Sequence, residues 1–240
     1  MRTTHLILHI LRGLLTAAII LPQVSPQKRD SIISNWCRKL LAVFNIQMIT
    51  HGLIPSQDVT SAMFVANHVS WIDIYAINSV RAVRFVAKAE IRRWPVFGWL
   101  ASQVNTLFTD RQRRQEAGRM VELTADSLRA GDCLCFFPEG ATTEGTELKT
   151  FKSSLMQAAI IAQSRVWPVA IRYPDENGEP DTALSYTNVN LLNSVRKVLA
   201  LQAPVVELYF GHPIDAAGQD RRRLSVEART FIAEQLKLQH

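Results

Sequence analysis

From residue 60 onward, short runs of β-favouring apolar residues alternate with longer stretches whose apolar positions recur every three to four residues. The runs "AMFVA", "VRFVA", "VNTLF", "CLCFF", "VWPVAI" and "VVELYF" predict strands. Helical spacing covers roughly residues 71–79, 113–129, 153–163, 190–202 and 221–237. This alternation predicts an α/β fold, with a mostly parallel central sheet flanked by helices. Residues 173–188, containing Pro174, Asn177-Gly178 and Pro180, form the longest predicted loop. Pro168 interrupts a strand pattern and lacks a backbone N–H, which predicts an edge or a bulge there.

The first 50 residues carry a different pattern. Residues 6–21, "LILHILRGLLTAAIIL", are strongly apolar but contain His9 and Arg12 and stop at Pro22. As a helix they reach about 24 Å, short of a ~30 Å hydrocarbon core. A buried Arg12 adds roughly 2.5–3.5 kcal/mol against crossing. A second stretch, "RDSIISNWCRKLLAVFNIQMI", places Ile32, Ile33, Trp36, Leu40, Leu41 and Phe44 on one helical stripe flanked by basic residues. That composition suits a helix lying at a membrane surface. The expected organisation is therefore a membrane-associated helical hairpin over residues 1–50, followed by a catalytic-size domain over residues 51–240.

Composition adds two constraints. Lys and Arg exceed Asp and Glu by 27 to 21, and residues 81–119 hold nine basic side chains against Glu90, Asp110 and Glu116. A local excess of that kind favours an acidic partner such as anionic lipid or an acidic carrier protein. No nucleic-acid motif accompanies it, so nucleic acid is not an expected partner. Cys37, Cys133 and Cys135 lack metal-ligand spacing and are expected as reduced core thiols, with no bound metal.

The densest chemistry lies in "NHVSWID", directly after the strand "AMFVA". Ser70-Trp71-Ile72-Asp73 fits a capping box, in which Ser70 caps a helix and Asp73 reaches back. His68 and Asp73 would diverge within one helix, but across a strand-to-helix turn they can meet. Asp73 would then fix the imidazole tautomer and leave the other ring nitrogen as a base. From these seven residues, capping and catalysis both stand. Elsewhere, "CLCFFPEGATTEG" runs from a buried strand into a polar loop, and α/β sheets bind ligands outside the carboxyl ends of their strands. This places Glu139 and the backbone around Gly140 for a substrate hydroxyl or a developing oxyanion. Arg111, after "NTLF", can hold a phosphate through two donors. Lys152 and Ser153 open a helix whose N-terminus favours an anion, although a simple cap explains Ser153 equally well.

Four blocks in order over roughly residues 52–172 resemble the lysophospholipid acyltransferase family, typified by bacterial 1-acylglycerol-3-phosphate acyltransferases. "NHVSWID" is similar to the first block, whose H-x-x-x-x-D pair implies His68 as general base and Asp73 as its orienter. "FVAKAEIRRWPVFGWL" resembles the region that follows and implies Lys88 as a contact to the headgroup phosphate. "NTLFTDR" resembles the second block, ending at Arg111, "FPEGATTEG" the third and "VWPVAI" the fourth. The resemblance implies direct transfer of a fatty acyl group from acyl-coenzyme A or acyl carrier protein to a lysolipid hydroxyl. It calls for no bound cofactor, and it implies a monotopic or peripheral enzyme on the cytoplasmic face of the inner membrane, against anionic lipid.

One departure bears on the acceptor. The family's third block usually continues Thr-Arg after its glycine, and that arginine binds phosphate. Here the two positions are Ala141 and Thr142. A bare phosphate monoester loses a two-pronged donor by this change. Lys88 and Arg111 are candidates to compensate, and a lyso-ornithine lipid is the alternative acceptor. Two competing readings remain: a thioester hydrolase using the same base on water, and a non-enzymatic basic membrane or nucleic-acid adaptor.

Overall fold

The computed structural model describes residues 2–109 and 114–238. Its centre is an eight-stranded sheet made of β1 (Gln47–Gly52), β2 (Ala62–Ala66), β3 (Arg84–Lys88), β4 (Leu107–Thr109), β5 (Cys133–Phe136), β6 (Arg165–Arg172), β7 (Val205–Phe210) and β8 (Ile214–Asp215). The order is β1-β7-β6-β2-β5-β3-β4, with β8 also on β6. Pairing is parallel except where β7 and β8 meet β6. The predicted mostly parallel α/β sheet is thus present.

Strand β2 sits between β5 and β6, and all five of its residues are buried. A strand covered on both faces reads as a continuous apolar run, as "AMFVA" does. Its alternation divides the core: Ala62, Phe64 and Ala66 face one layer, Met63 and Val65 the other. The first layer includes α2 (Pro26–Val43), α3 (Ile72–Val80) and α7 (Leu191–Ala200). The second is built on α5 (Arg114–Arg129), α6 (Met156–Ile161) and α8 (Arg221–Gln235).

Pro168 lies neither on an edge strand nor in a bulge of the register. It pairs with Val65 of β2, and on its other side β6 changes partner, from β8 at Arg165–Val166 to β7 at Val169–Arg172. The missing N–H falls in that changeover, where a proline removes no rung of either ladder.

The amino-terminal segment differs from its sequence reading in two ways. Helix α1 (Arg2–Leu15) continues through a π turn (Thr16–Ile20) and a 3-10 turn (Leu21–Gln23) as one apolar helical run of 22 residues. At ~1.5 Å per residue the run is long enough to cross a bilayer, so length does not argue against spanning. The run is one-sided instead. Leu6, Gly13, Ala17 and Leu21 are buried, while Ile7, Leu8, Leu11, Leu15, Ile19 and Ile20 face outward. Gly13 lies under Trp36 of α2, where an added Cβ would come within 2.5 Å of the indole nitrogen. His9 stacks on the same indole.

The second difference concerns the boundary expected after residue 50, which falls inside strand β1. "QMI" had been grouped with the preceding helical pattern, but the helix ends at Val43 and residues 47–52 pair with β7. Cys37, Leu40, Leu41 and Phe44 are buried in the core. Helix α1 also joins the first layer, through Leu6 and Ile10, and Arg2 donates to the carbonyls of Leu199 and Leu201 at the end of α7.

Candidate active site

Strand β2 ends at Ala66, and the next five residues turn into α3. Asn67 anchors the turn: its side chain donates to the carbonyl of Ile171 at 3.0 Å and accepts from the N–H of Ile171 at 2.8 Å. This two-way bond ties the end of β2 to β6 and fixes where His68 emerges.

Asp73, fully buried in the first turn of α3, gathers the turn around its carboxylate. Oδ2 accepts from the N–H of Val69 at 2.8 Å, the N–H of Ser70 at 2.9 Å and Nδ1 of His68 at 2.7 Å. Oδ1 accepts from the hydroxyl of Tyr173, just past the end of β6. Backbone amides can only donate, so the carboxylate is the acceptor and Nδ1 of His68 carries the hydrogen. Nε2 is thereby left with the lone pair, and it makes no hydrogen bond to the described residues. Of the expected capping box only the Asp73 half forms. The helix begins at Ile72, its N-cap residue Trp71 makes no side-chain cap, and the Ser70 side chain is buried.

The imidazole lies flat on Phe137, with centroids 3.9 Å apart and planes 7° from parallel. Phe85 stacks behind Phe137. One ring face is thus sealed by aromatic carbon, and about a fifth of the His68 side chain stays open to solvent. Tyr173 and Cys135 feel the buried carboxylate: burial first, and then the Asp73 charge, push the phenol and the thiol well above their ordinary pKa values. Both remain neutral.

Glu139, on the loop after β5, is 5% exposed. Oε1 accepts from the backbone N–H of His68 at 2.8 Å and Oε2 from that of Lys149 at 3.0 Å. Its carboxylate therefore clasps the main chain of His68, where the sequence predicts a group turned toward a substrate hydroxyl. Burial raises its pKa, opposed by the amides of Lys149 and His68. Gly140 follows in a left-handed conformation, φ +77°, and its N–H closes a turn onto the carbonyl of Phe137 at 3.1 Å. The loop then returns along the site: the N–H of Thr143 donates to the carbonyl of His68 at 2.9 Å.

Thr142 donates its hydroxyl to the carbonyl of Tyr186 at 2.6 Å, and Nζ of Lys149 lies 3.4 Å from the carbonyl of Thr142. Lys88 is exposed at the end of β3, on the same sheet edge as His68, and makes no hydrogen bond with His68, Asp73 or Glu139. Arg111 lies outside the described residues. Sequence reasoning missed Asn67, Phe137 as a platform, and Tyr173. Asn67 and Phe137 adjoin quoted motifs and were within reach, whereas Tyr173 stands 100 residues from Asp73.

A carboxylate-steered imidazole at the carboxyl edge of a central parallel strand, where α/β sheets bind ligands, is chemically able to accept a proton. Residues 47–172 match the acyltransferase family. The chain is 32% identical over 197 residues to the 1-acyl-sn-glycerol-3-phosphate acyltransferase of Neisseria meningitidis, covering 82% of this chain and 77% of that protein. It is 35% identical over 206 residues to the lyso-ornithine lipid O-acyltransferase of Pseudomonas aeruginosa, covering 85% and 78%. The crystal structure of the 1-acyl-sn-glycerophosphate acyltransferase from Thermotoga maritima shares the fold, with a TM-score of 0.64 at 20% identity over 100% of this chain and 99% of that one. The chain belongs to the acyltransferase family.

Proposed function

We propose that the protein moves a fatty acyl group from an acyl thioester to the hydroxyl of a lysolipid, with 1-acylglycerol-3-phosphate as the leading acceptor and His68 as general base. The observation that carries this reading is the 2.7 Å bond from Nδ1 of His68 to the buried Asp73, which leaves Nε2 as the proton acceptor. Nε2 takes the proton of the lysolipid hydroxyl as that oxygen attacks the thioester carbonyl. The tetrahedral intermediate collapses with loss of the thiolate, which takes the proton back from the imidazolium. Asp73 stabilises the imidazolium in between. No enzyme nucleophile enters, and the route calls on no metal or bound cofactor.

Relatives named for both lysolipid acceptors support the substrate class. Lyso-ornithine lipid is the second reading, and Thr142 favours it. A threonine whose hydroxyl is committed to Tyr186 offers no charge to a phosphate monoester. Lys88 and Arg111 are the candidate anion contacts if phosphate is bound. The donor is acyl-coenzyme A or acyl carrier protein, and the basic 81–119 segment suits the acidity of the carrier protein. The outward apolar stripe of α1 supports monotopic or peripheral seating on the inner membrane, with the cytoplasmic face as the side exposed to the donors.

The test is incubation of purified protein in detergent with labelled lysolipids of several headgroups and each thioester donor. Diacylated product confirms transfer and names both substrates. Free fatty acid as the dominant product would replace transfer with hydrolysis.

A further inference from the structure

The segment joining β3 to β4 is not used by the chemistry, yet it turns large apolar groups to solvent. Trp94 is 37% exposed, Val96 41% and Trp99 40%. Their exposure is not a sign of looseness, because the segment is tightly built. A 3-10 turn (Ala89–Arg93) leads into α4 (Phe97–Gln103), and the N–H of Gly98 donates to the carbonyl of Trp94 at 2.9 Å. A Cβ added to Gly98 would lie 2.4 Å from the carbonyl oxygen of Arg92, so the turn and the helix are folded hard against each other. The Arg92 guanidinium rests over the ring of Phe108. Two indoles and a valine are therefore turned outward from a closely packed turn and helix, and such a patch marks an interaction surface.

Its position says what covers it. The π turn at the end of α1 packs on α4, and the Arg29 guanidinium at the start of α2 donates to the carbonyl of Gln103 at the end of α4. The segment bearing the outward residues Ile19 (56% exposed) and Ile20 (44%) thus lies against the helix that bears Trp99. Lys88, Arg92 and Arg93 are exposed beside the indoles, with Glu90 the one acid among residues 88–103. Tryptophans interleaved with basic residues, next to a helix with an outward apolar face, have the composition of a surface seated at the headgroup level of an anionic bilayer.

We infer that residues 89–99 form a second membrane-contacting element, which seats the carboxyl edge of the sheet on an anionic bilayer surface. The inference rests on the membrane seating proposed for α1 and extends it to the site. Strands β2, β5 and β3 are parallel neighbours, so the end of β3 lies two strand spacings, about 10 Å, from the end of β2 and His68. A lysolipid in that bilayer would have its hydroxyl presented near the base without leaving the membrane.

The test uses the full-length protein with single cysteines introduced by Ile19→Cys, Val96→Cys or Val226→Cys and labelled with an environment-sensitive fluorophore. The native cysteines are buried. Val226 is exposed on α8, across the sheet from α1. Each protein is mixed with phosphatidylglycerol–phosphatidylethanolamine vesicles containing brominated acyl chains. The expected result is quenching at positions 19 and 96, each at least about threefold greater than at 226. Quenching at 19 with position 96 behaving like 226 would overturn the second element while leaving the α1 reading intact. No quenching at either position would overturn both.

Discussion

Tyr173 donates its phenolic hydrogen to Oδ1 of Asp73, while His68 donates to Oδ2 of the same carboxylate. The two bonds load opposite oxygens, so the phenol helps fix the plane in which Asp73 presents itself to the imidazole. Tyr173→Phe removes a hydrogen bond to a buried charge, a loss of about 1.5–3 kcal/mol. Thermal unfolding should fall accordingly, and kcat should drop about tenfold with KM for the acceptor little changed. An unaltered kcat would show that the carboxylate holds its orientation without the phenol.

His68→Ala should lower turnover by at least ~10³-fold, the combined effect of losing the base and its positioning. Asp73 keeps its bonds from Val69, Ser70 and Tyr173, so the far-UV spectrum and unfolding midpoint should stay close to wild type. Retained activity with that fold would remove the imidazole from the mechanism.

Glu139 carries a pH signature. Burial places its folded-state pKa above the ordinary glutamate value of 4.5. The native state therefore binds this proton more readily than the unfolded chain, and the contribution is fully present below about 4.5 and lost as pH rises through the raised value. Glu139→Gln removes the titration, and it removes one acceptor for about 1–3 kcal/mol. The stability gap between wild type and variant, followed by urea unfolding at a series of pH values, should narrow across that interval and then level. A gap independent of pH would mean that the carboxyl does not titrate there.

Thr142→Arg should raise kcat/KM for 1-acylglycerol-3-phosphate about tenfold by adding a two-pronged cation. The KM for the thioester donor should stay as it was. An equal change for phosphate-free acceptors would place position 142 away from the headgroup.

Deleting residues 2–23 should move most of the protein from the membrane pellet to the supernatant, with any remaining bound fraction released by high salt. The deletion leaves α2 intact, including its cap, in which the Ser25 side chain accepts from the N–H of Lys28 at 3.4 Å. Unchanged pelleting would count against seating through α1.

Much of the sheet was readable because buried parallel strands advertise themselves: "AMFVA" and "CLCFF" need apolar residues on both faces. Strand β1 escaped because it lies at the sheet edge and half of it faces outward. Its "QMI" then extends the apolar spacing of the helix before it. The "VNTLF" run marks β4 three residues early, because the chain is still leaving α4 at Asn105. His68 and Asp73 were legible because the partners are five residues apart. Glu139 was found by its place after a strand, but a carboxylate that binds main-chain amides leaves no pattern in the side chains it serves. Tyr173 is joined to Asp73 only by the parallel packing of β2 on β6, and spacing along the chain carries no trace of it.

The clasp made by Glu139 also shapes what variation the protein can absorb. Residues 140–148 leave Glu139 and return to Lys149, both held by the Glu139 carboxylate, and Thr143 ties the middle of the span to the carbonyl of His68. Exchanges at its exposed positions, Ala141, Glu144, Thr146 and Glu147, leave both ties to the main chain of His68 in place. The surface of this loop is therefore free to change by small steps beside an imidazole whose main chain stays pinned.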